Sequence, residues 1–280
     1  MATRFYLPSV FLDPLGPGVP AFDGSWESTG SAVRKPMSTA RSNSPFVDLA
    51  VSSNGTLNNN ALIVQFISNP LGAAYTISGT VKGQILAKET IATLDARAQL
   101  LIKIVSNDGS TVIGTALAHN TGGVTNEFDV SPFENRKFPK AWAGAGTALS
   151  SVSASVGDRI VMEIGYRHGA VTNTATIQIG DNDISDLPEN ETETISYAPW
   201  IELSQDLSFE HVGYQNFANF ARTDAVLGGI TSFSYKMRAL ADPGPGYVTW
   251  IVIGTPDFAG VQAPSAILAG TAVVSTNWVI

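Results

Sequence analysis

Turn-forming residues recur so often along this chain that long helices would be interrupted. The 280 residues include 26 glycines and 15 prolines. Short apolar runs lie between them, with turn sequences such as Asn54-Gly55 and Asn107-Asp108-Gly109 in the gaps. Short strands tolerate this pattern because each needs only a few residues before the next turn. The sequence therefore predicts an all-β protein with a jelly-roll-like β-sandwich.

Alternation of apolar and polar residues indicates the individual strands. In the run 158–166, Ile160, Met162 and Ile164 alternate with Arg159 and Glu163. Such a strand would have one apolar face and one largely wet face. We expect the runs 158–166, 174–179 and 199–207 to fill adjacent places in antiparallel sheets. The other strand candidates are 61–67, 75–86, 98–105, 232–239 and 247–253.

Proline spacing and composition divide the chain into three parts. Residues 1–45 carry six prolines, which exclude a helix or a central strand and predict an extended N-terminal arm or edge segment. Residues 46–208 form the predicted sandwich. Residues 209–280 form a smaller, β-rich C-terminal region, in which aromatic residues at helical spacing within 211–227 favour a short helix.

Both ends of the chain are apolar, which predicts that they are covered. The aromatic residues of the N-terminal arm should lie on the sandwich or on a neighbouring subunit, because they are too apolar for free disorder. The nearly uncharged C-terminal tail should be tucked into a sheet or buried against another subunit. The side chains predicted at an assembly interface are Phe5, Tyr6, Phe11, Phe22, Trp26, Trp278, Val279 and Ile280.

Charge and cysteine content exclude several classes of function. Charged residues make up 14% of the chain and the net charge is −8, which argues against a surface that neutralises nucleic-acid phosphates. The absence of cysteine removes disulfides, thiolate nucleophiles and thiolate zinc sites. No apolar run approaches the ~18 residues of a membrane span, and the N-terminus lacks a signal-peptide pattern. We therefore expect neither a nucleic-acid nor a membrane partner.

The three histidines predict no catalytic site. His119 and His168 lie in turn-like stretches and His211 lies at the domain junction. No nucleophile motif such as G-x-S-x-G accompanies them, so surface histidines are the favoured interpretation.

A calcium site is one alternative for the acidic stretch after residue 180. Asp181, Asp183, Asp186 and Glu189 offer the oxygen ligands that Ca²⁺ prefers. Their spacing lacks the glycine and the terminal glutamate of an EF-hand loop, and acidic loops are commonly just solvated. Calcium is the one cofactor that the sequence suggests.

Trp142 is the candidate residue for sugar binding. It follows Lys140-Ala141 in a loop, and the face of its indole ring could stack on the apolar face of a sugar. The favoured interpretation is that Trp142 fills one end of the sandwich.

A set of short sequences resembles those of a known group of proteins. They are Thr3-Arg4-Phe5-Tyr6-Leu7-Pro8, Ala21-Phe22-Asp23 with Trp26-Glu27, Val105-Ser106-Asn107-Asp108-Gly109, Gly157-Asp158-Arg159-Ile160-Val161, and Ser185-Asp186-Leu187-Pro188-Glu189 leading to Pro199-Trp200-Ile201-Glu202. Together they resemble tailed-phage and prophage virion structural proteins with a jelly-roll-like body. The resemblance covers residues 1 to about 205 and brings no catalytic residues. It implies a virion component of the capsid-decoration or tail-associated type.

The leading functional hypothesis is assembly rather than catalysis. A virion protein made in the host cytoplasm would associate with itself, as a trimer or a larger ring, and with other virion proteins. Low surface charge would reduce the desolvation cost when copies meet. The alternative is a carbohydrate-binding module for host surface glycans. A glycosidase or esterase on a phage spike is a third hypothesis, which needs paired carboxylates that the sequence does not locate.

Overall fold

A computed structural model describes most of the chain. It covers residues 2–9, 19–27, 30–119, 125–139, 146–186 and 197–210, together with the backbone of the strands at 247–253, 257–258, 261–262 and 267–273. The chain divides into two compact units, Met1–Glu210 and His211–Ile280. We call the first unit the body.

The described residues form 18 strands and one short 3₁₀ helix, Ala92–Leu94. The strands of the body are β1 (Thr3–Tyr6), β2 (Val33–Pro36), β3 (Val47–Ser52), β4 (Asn60–Ile67), β5 (Tyr75–Ile77), β6 (Thr80–Glu89), β7 (Arg97–Val105), β8 (Val112–Leu117), β9 (Glu134–Phe138), β10 (Thr147–Ala148), β11 (Val152–Ala154), β12 (Arg159–Arg167), β13 (Thr174–Ile179) and β14 (Trp200–Leu203). Among the described residues, no helix is long and apolar enough to cross a membrane.

Two main sheets build the body. The seven-stranded sheet has the order β1-β14-β6-β13-β3, and β9 and β10 also pair with β6. The five-stranded sheet has the order β2-β4-β12-β7-β8 and is antiparallel except where β2 runs parallel to β4. Strands β5 and β11 form a small separate pair. The first 45 residues thus contribute β1 and β2 as edge strands of the body.

One apolar core lies between the two main sheets. Strands β6 and β13 contribute Ile85 and Ile177 from one side, and β7 and β12 contribute Ile102 and Ile164 from the other. All four side chains are fully buried. The prediction of an all-β sandwich is therefore confirmed.

The predicted strands largely agree with the observed ones. The run 174–179 coincides with β13, and the runs 61–67 and 98–105 miss the first residue of β4 and of β7. The run 75–86 is not one strand, because Gly79 adopts a φ of 83° and separates β5 from β6. The predicted adjacency of the runs 158–166, 174–179 and 199–207 is wrong. Strand β12 lies in the five-stranded sheet, whereas β13 and β14 flank β6 in the other.

The C-terminal unit also contains strands. Its strands are β15 (Tyr247–Ile253), β16 (Asp257–Phe258), β17 (Val261–Gln262) and β18 (Ile267–Val273). β15 pairs with β18 and β16 with β17, both antiparallel. The strand predicted at 247–253 is confirmed, while the candidates at 211–227 and 232–239 lie outside the described residues.

Candidate functional site

A short segment of the chain covers part of the outer face of the five-stranded sheet. We call this segment, residues 19–27, the strap. The carbonyl oxygen of Ala21 accepts hydrogen bonds from Lys103 Nζ at 2.7 Å and from Gln65 Nε2 at 3.3 Å. The backbone N–H of Asp23 donates to the carboxylate of Glu163 at 3.2 Å. The strap is therefore attached to three neighbouring strands, β4, β12 and β7.

The strap covers a buried ion pair. Lys103 Nζ lies 2.7 Å from Glu163 Oε1, and the two side chains are only 1% and 0% exposed. Gln65, directly opposite Glu163 on β4, also donates to Oε1 at 2.8 Å. A buried charge is tolerable only when it is paired and hydrogen-bonded, and this carboxylate meets both conditions. The face of β12 that was predicted to be wet is therefore buried, which corrects that prediction.

Trp26 anchors the strap beside this ion pair. Its indole N–H donates to Glu163 Oε2 at 2.6 Å, and its ring packs on Leu62 and Leu101. The sheet below carries Gly165, where an added Cβ would come within 2.7 Å of Trp26 Cζ3 and 2.1 Å of the carbonyl oxygen of Ala61. The glycine therefore leaves the space in which the indole lies.

A second buried pair fixes the end of the strap. Glu27 Oε2 lies 2.8 Å from Nε2 of His168, and the two side chains are 1% and 0% exposed. Glu27 Oε1 accepts a hydrogen bond from the backbone N–H of Asn54 at 2.9 Å. The other ring nitrogen of His168 lies 2.7 Å from the carbonyl oxygen of Gly169. The interpretation of His168 as a surface histidine is therefore wrong, because the strap buries it.

One serine–histidine contact lies on the strap. Nε2 of His119 is 2.7 Å from Ser25 Oγ. Asp23 contacts the serine, since its Oδ1 accepts from both the backbone N–H and the hydroxyl of Ser25. Burial raises the pKa of Asp23, but the hydrogen bonds from Ser25 lower it by more. The pKa of Asp23 therefore lies below its ordinary value. An aspartate that accepts from the backbone N–H two residues later is typical of a turn.

The residues predicted for an assembly interface have several different environments. Phe5 is 1% exposed within the core between the sheets, and Trp26 is 5% exposed under the strap. The prediction that these two side chains face another subunit is therefore wrong, because the body itself covers them. Tyr6 and Phe22 are partly buried. Phe11, Trp278, Val279 and Ile280 lie outside the described residues.

The proposed calcium ligands contact cations of the same chain. Asp186 accepts from Arg4 and from the Tyr6 hydroxyl, each at 2.9 Å. Burial raises the pKa of Asp186, but these two hydrogen bonds lower it by more. The pKa of Asp186 therefore lies below its ordinary value. Asp181 and Asp183 each lie 3.9 Å from Arg41.

A carboxylate already paired with a guanidinium is a weak ligand for Ca²⁺, since the cation would have to displace it. Within the described part of the chain, no group of three or more histidine or acidic side chains could hold a metal ion. Glu189, and Trp142 of the predicted sugar site, lie outside that part.

Exposed aliphatic side chains flank one turn of the body. Val112 and Ile113, at the start of β8, are 55% and 42% exposed, and Val156 is 57% exposed. The neighbour of Val156, Gly157, lies against Asn107 in the β7–β8 turn. Val19 is also exposed, and Pro20 beside it lies against Gly109 of the same turn. We call these four exposed residues next to the turn, Val19, Val112, Ile113 and Val156, the hairpin end.

Sequence reasoning missed both the buried ion pair and the hairpin end. Lys103 and Glu163 are the isolated charges in the runs 98–105 and 160–166. A lone charge in each of two apolar strands indicates a pair if the strands are neighbours. The sequence indicated the hairpin end more weakly, since Val112 and Ile113 begin three positions after the predicted Asn107-Asp108-Gly109 turn.

Comparison with known proteins gives only weak likenesses. No family model and no curated protein match the chain. A CocE/NonD family hydrolase from Staphylococcus aureus is 8% identical, with 74% of this chain and 36% of that one covered and a TM-score of 0.41. The infectious bursal disease virus VP2 subviral particle is 12% identical, with 72% and 47% covered and a TM-score of 0.20. The chain thus spans less than half the length of either protein, and neither likeness carries an argument about function.

Proposed function

We propose that this chain is a structural protein of a phage particle, of the capsid-decoration or tail-associated type. It would be made in the host cytoplasm and would act by binding copies of itself and other particle proteins, without catalysing a reaction. The resemblance of its short sequences to phage virion proteins is the starting point for this proposal.

The hairpin end is the observation that carries the proposal. Single exposed aliphatic side chains are normal on a protein surface, whereas several next to one turn suggest apolar surface that a protein–protein contact would cover. Asp108, the acid in this turn, accepts hydrogen bonds from Ser106 and Ser110 at 2.5 and 2.9 Å. Its charge is therefore partly compensated within the turn itself.

A symmetric contact between copies would bury these side chains. A stable interface covers about 800 Å² on each partner, so the hairpin end would form the centre of a larger contact. A few well-packed side chains near the centre of an interface contribute most of its binding energy. We therefore expect the association to depend strongly on Val112 and Ile113.

The mass of the assembled full chain tests this proposal. We expect a trimer or a larger ring in sedimentation velocity experiments. The double variant Val112→Thr, Ile113→Thr keeps β-branched residues in β8 and removes apolar surface, so it should weaken association at least about tenfold, or ~1.4 kcal/mol. Leu57→Thr is the matched control, because Leu57 is 60% exposed at a different turn.

Two outcomes would count against the proposal in different ways. A wild-type chain that remains monomeric at high concentration would contradict self-association. A wild-type oligomer that the double variant leaves intact would show that the hairpin end is not the contact.

A further inference from the structure

Glu89 places a carboxyl group inside the body at the end of β6. The residue is 1% exposed, and its Oε2 accepts a hydrogen bond from the backbone N–H of Ala96 at 2.8 Å. Its other oxygen, Oε1, is buried and has no hydrogen-bond donor in the described part of the chain. Burying an acceptor without a donor is unfavourable, so we expect a proton on the carboxyl group of Glu89 or on a group that faces it.

The segment 125–129 packs against this carboxyl group. The backbone N–H of Glu89 donates to the carbonyl oxygen of Asp129, and that of Phe128 donates to the carbonyl oxygen of Ala96, both at 2.8 Å. The carboxyl group of Glu127 lies within hydrogen-bonding reach of that of Glu89. Two carboxyl groups therefore face each other between β6 and this segment.

The nearby charges do not balance both carboxylates. Asp95 adds a third acidic group, and the guanidinium of Arg97 binds Asp95 at 2.6 Å and Glu127 at 3.3 Å. Ala175, the partner of Glu89 on β13, carries no charge.

A second cation, Arg136, also contacts the segment, since its Nε donates to the carbonyl oxygen of Glu127 at 2.7 Å. Arg136 of β9 binds Asp129 at 2.9 Å and Glu134 at 2.8 Å. Arg136 is thus engaged by other carboxylates, and Arg97 is shared between Asp95 and Glu127, so neither guanidinium group balances Glu89. This shortage of positive charge favours a proton between Glu89 and Glu127.

Electrostatics agree with this geometry. Burial raises the pKa of Glu89 to about 7, and repulsion from Glu127 and Asp95 adds to this, although the Ala96 amide opposes it. Burial and Asp95 also raise the pKa of Glu127. The titration belongs to the pair rather than to one residue, because the two groups interact.

We propose that Glu89 and Glu127 share one proton and act as a pH-sensitive latch that holds segment 125–129 against the body. In the closed latch the protonated carboxyl of Glu89 donates a hydrogen bond to the carboxylate of Glu127. Loss of that proton to solvent leaves two facing carboxylates, and the segment is released. Phe128, which is 1% exposed in the closed state, then becomes accessible to water. The latch does not depend on the proposed assembly function.

Hydrogen–deuterium exchange of the full chain tests the latch. Peptides that contain residues 125–129 are followed from about pH 5.5 to about pH 8.5, and each rate is corrected for the intrinsic base catalysis of exchange. Below about pH 7 the closed latch holds a proton that the open segment loses, so the opening equilibrium should increase by up to about tenfold per pH unit there and level off at higher pH. In Glu89→Gln, the amide N–H₂ donates to Glu127 without titrating, so the protection should be independent of pH. Glu134→Gln is the matched control and should retain the wild-type dependence.

An identical pH dependence in wild type and Glu89→Gln would overturn the latch. If Glu89→Gln does not fold, the carboxyl ¹³C resonance of Glu89 in the wild-type chain decides the question. Titration near neutral pH supports the latch, and titration in the ordinary range of glutamate overturns it.

Discussion

The ammonium group of Lys103 lies 2.7 Å from Glu163 Oε1 with almost no exposure of either side chain. The pair connects β7 to β12, and both partners also bind the strap, through Ala21 and Trp26. The strap and the outer face of the five-stranded sheet therefore share one polar network.

Removal of the cation from this network should strongly destabilise the body. In Lys103→Met the carboxylate of Glu163 stays buried without its counter-charge, so the free energy of unfolding should fall by about 3–5 kcal/mol. Denaturant unfolding followed by tryptophan fluorescence measures this change. Lys88→Met is the control, since the ammonium of Lys88 lies over the ring of Phe133 and is partly exposed. Equal losses in the two variants would contradict the importance of the buried pair.

Gly165→Ala should displace the strap. The added Cβ would clash with the carbonyl oxygen of Ala61 and with the ring of Trp26. Since backbone cannot move away cheaply, we expect a loss of about 1–3 kcal/mol and a red shift of the Trp26 emission. Gly24→Ala is the control within the strap, because an added Cβ there has nothing within 4 Å. A Gly165→Ala variant as stable as wild type would disprove this packing.

Glu27→Ala should loosen the end of the strap. The imidazole of His168 would lose its acceptor in a buried position, at a cost of about 1–3 kcal/mol, and the exposed backbone N–H of Asn54 would lose its acceptor as well. Limited proteolysis with chymotrypsin should then cleave faster after Phe22 and Trp26. Ser25→Ala, which removes only exposed contacts, should leave the cleavage rate near that of wild type. Unchanged cleavage in Glu27→Ala would show that the pair does not hold the strap.

The sequence predicted the positions of the strands in the body better than it predicted which strands pair with each other. Strand β13 was predicted residue for residue, because alternation is a local pattern that its own residues carry. The place of β12 in the other sheet depends on pairing with β4 and β7, which lie far away in the sequence. Local patterns carry no information about such pairing, so the predicted adjacency of β12 and β13 was wrong.

The buried pairs under the strap could not be predicted from the sequence for a related reason. Alternation indicated that Glu163 faces away from the core, which is correct, but not that Trp26, 137 positions earlier, covers it. His168 is buried in the same way by Glu27, 141 positions away. The polarity of a side chain predicts its need for a partner and leaves open whether water or protein supplies that partner.

The stability of the body should decrease as the pH rises towards neutral. The pKa of Glu89 is about 7 in the folded chain, compared with an ordinary value of 4.5. Between these values the folded state holds more protons than the unfolded state. The stabilisation is therefore complete below about pH 4.5 and is lost as the pH rises through about 7, with a slope of up to ~1.4 kcal/mol per pH unit.

Urea unfolding across this pH range measures the slope, and Glu89→Gln should remove the contribution of Glu89. Carboxylates with lowered pKa values, such as Asp23 and Asp186, act in the opposite sense and only at more acidic pH. They do not mask the effect near neutral pH, because they are already ionised there. Burial lowers the pKa of His119, which acts in the opposite sense in this range, so the comparison with Glu89→Gln decides the question. An identical slope in wild type and Glu89→Gln between about pH 5 and about pH 7.5 would rule out a proton held by Glu89 in the folded body.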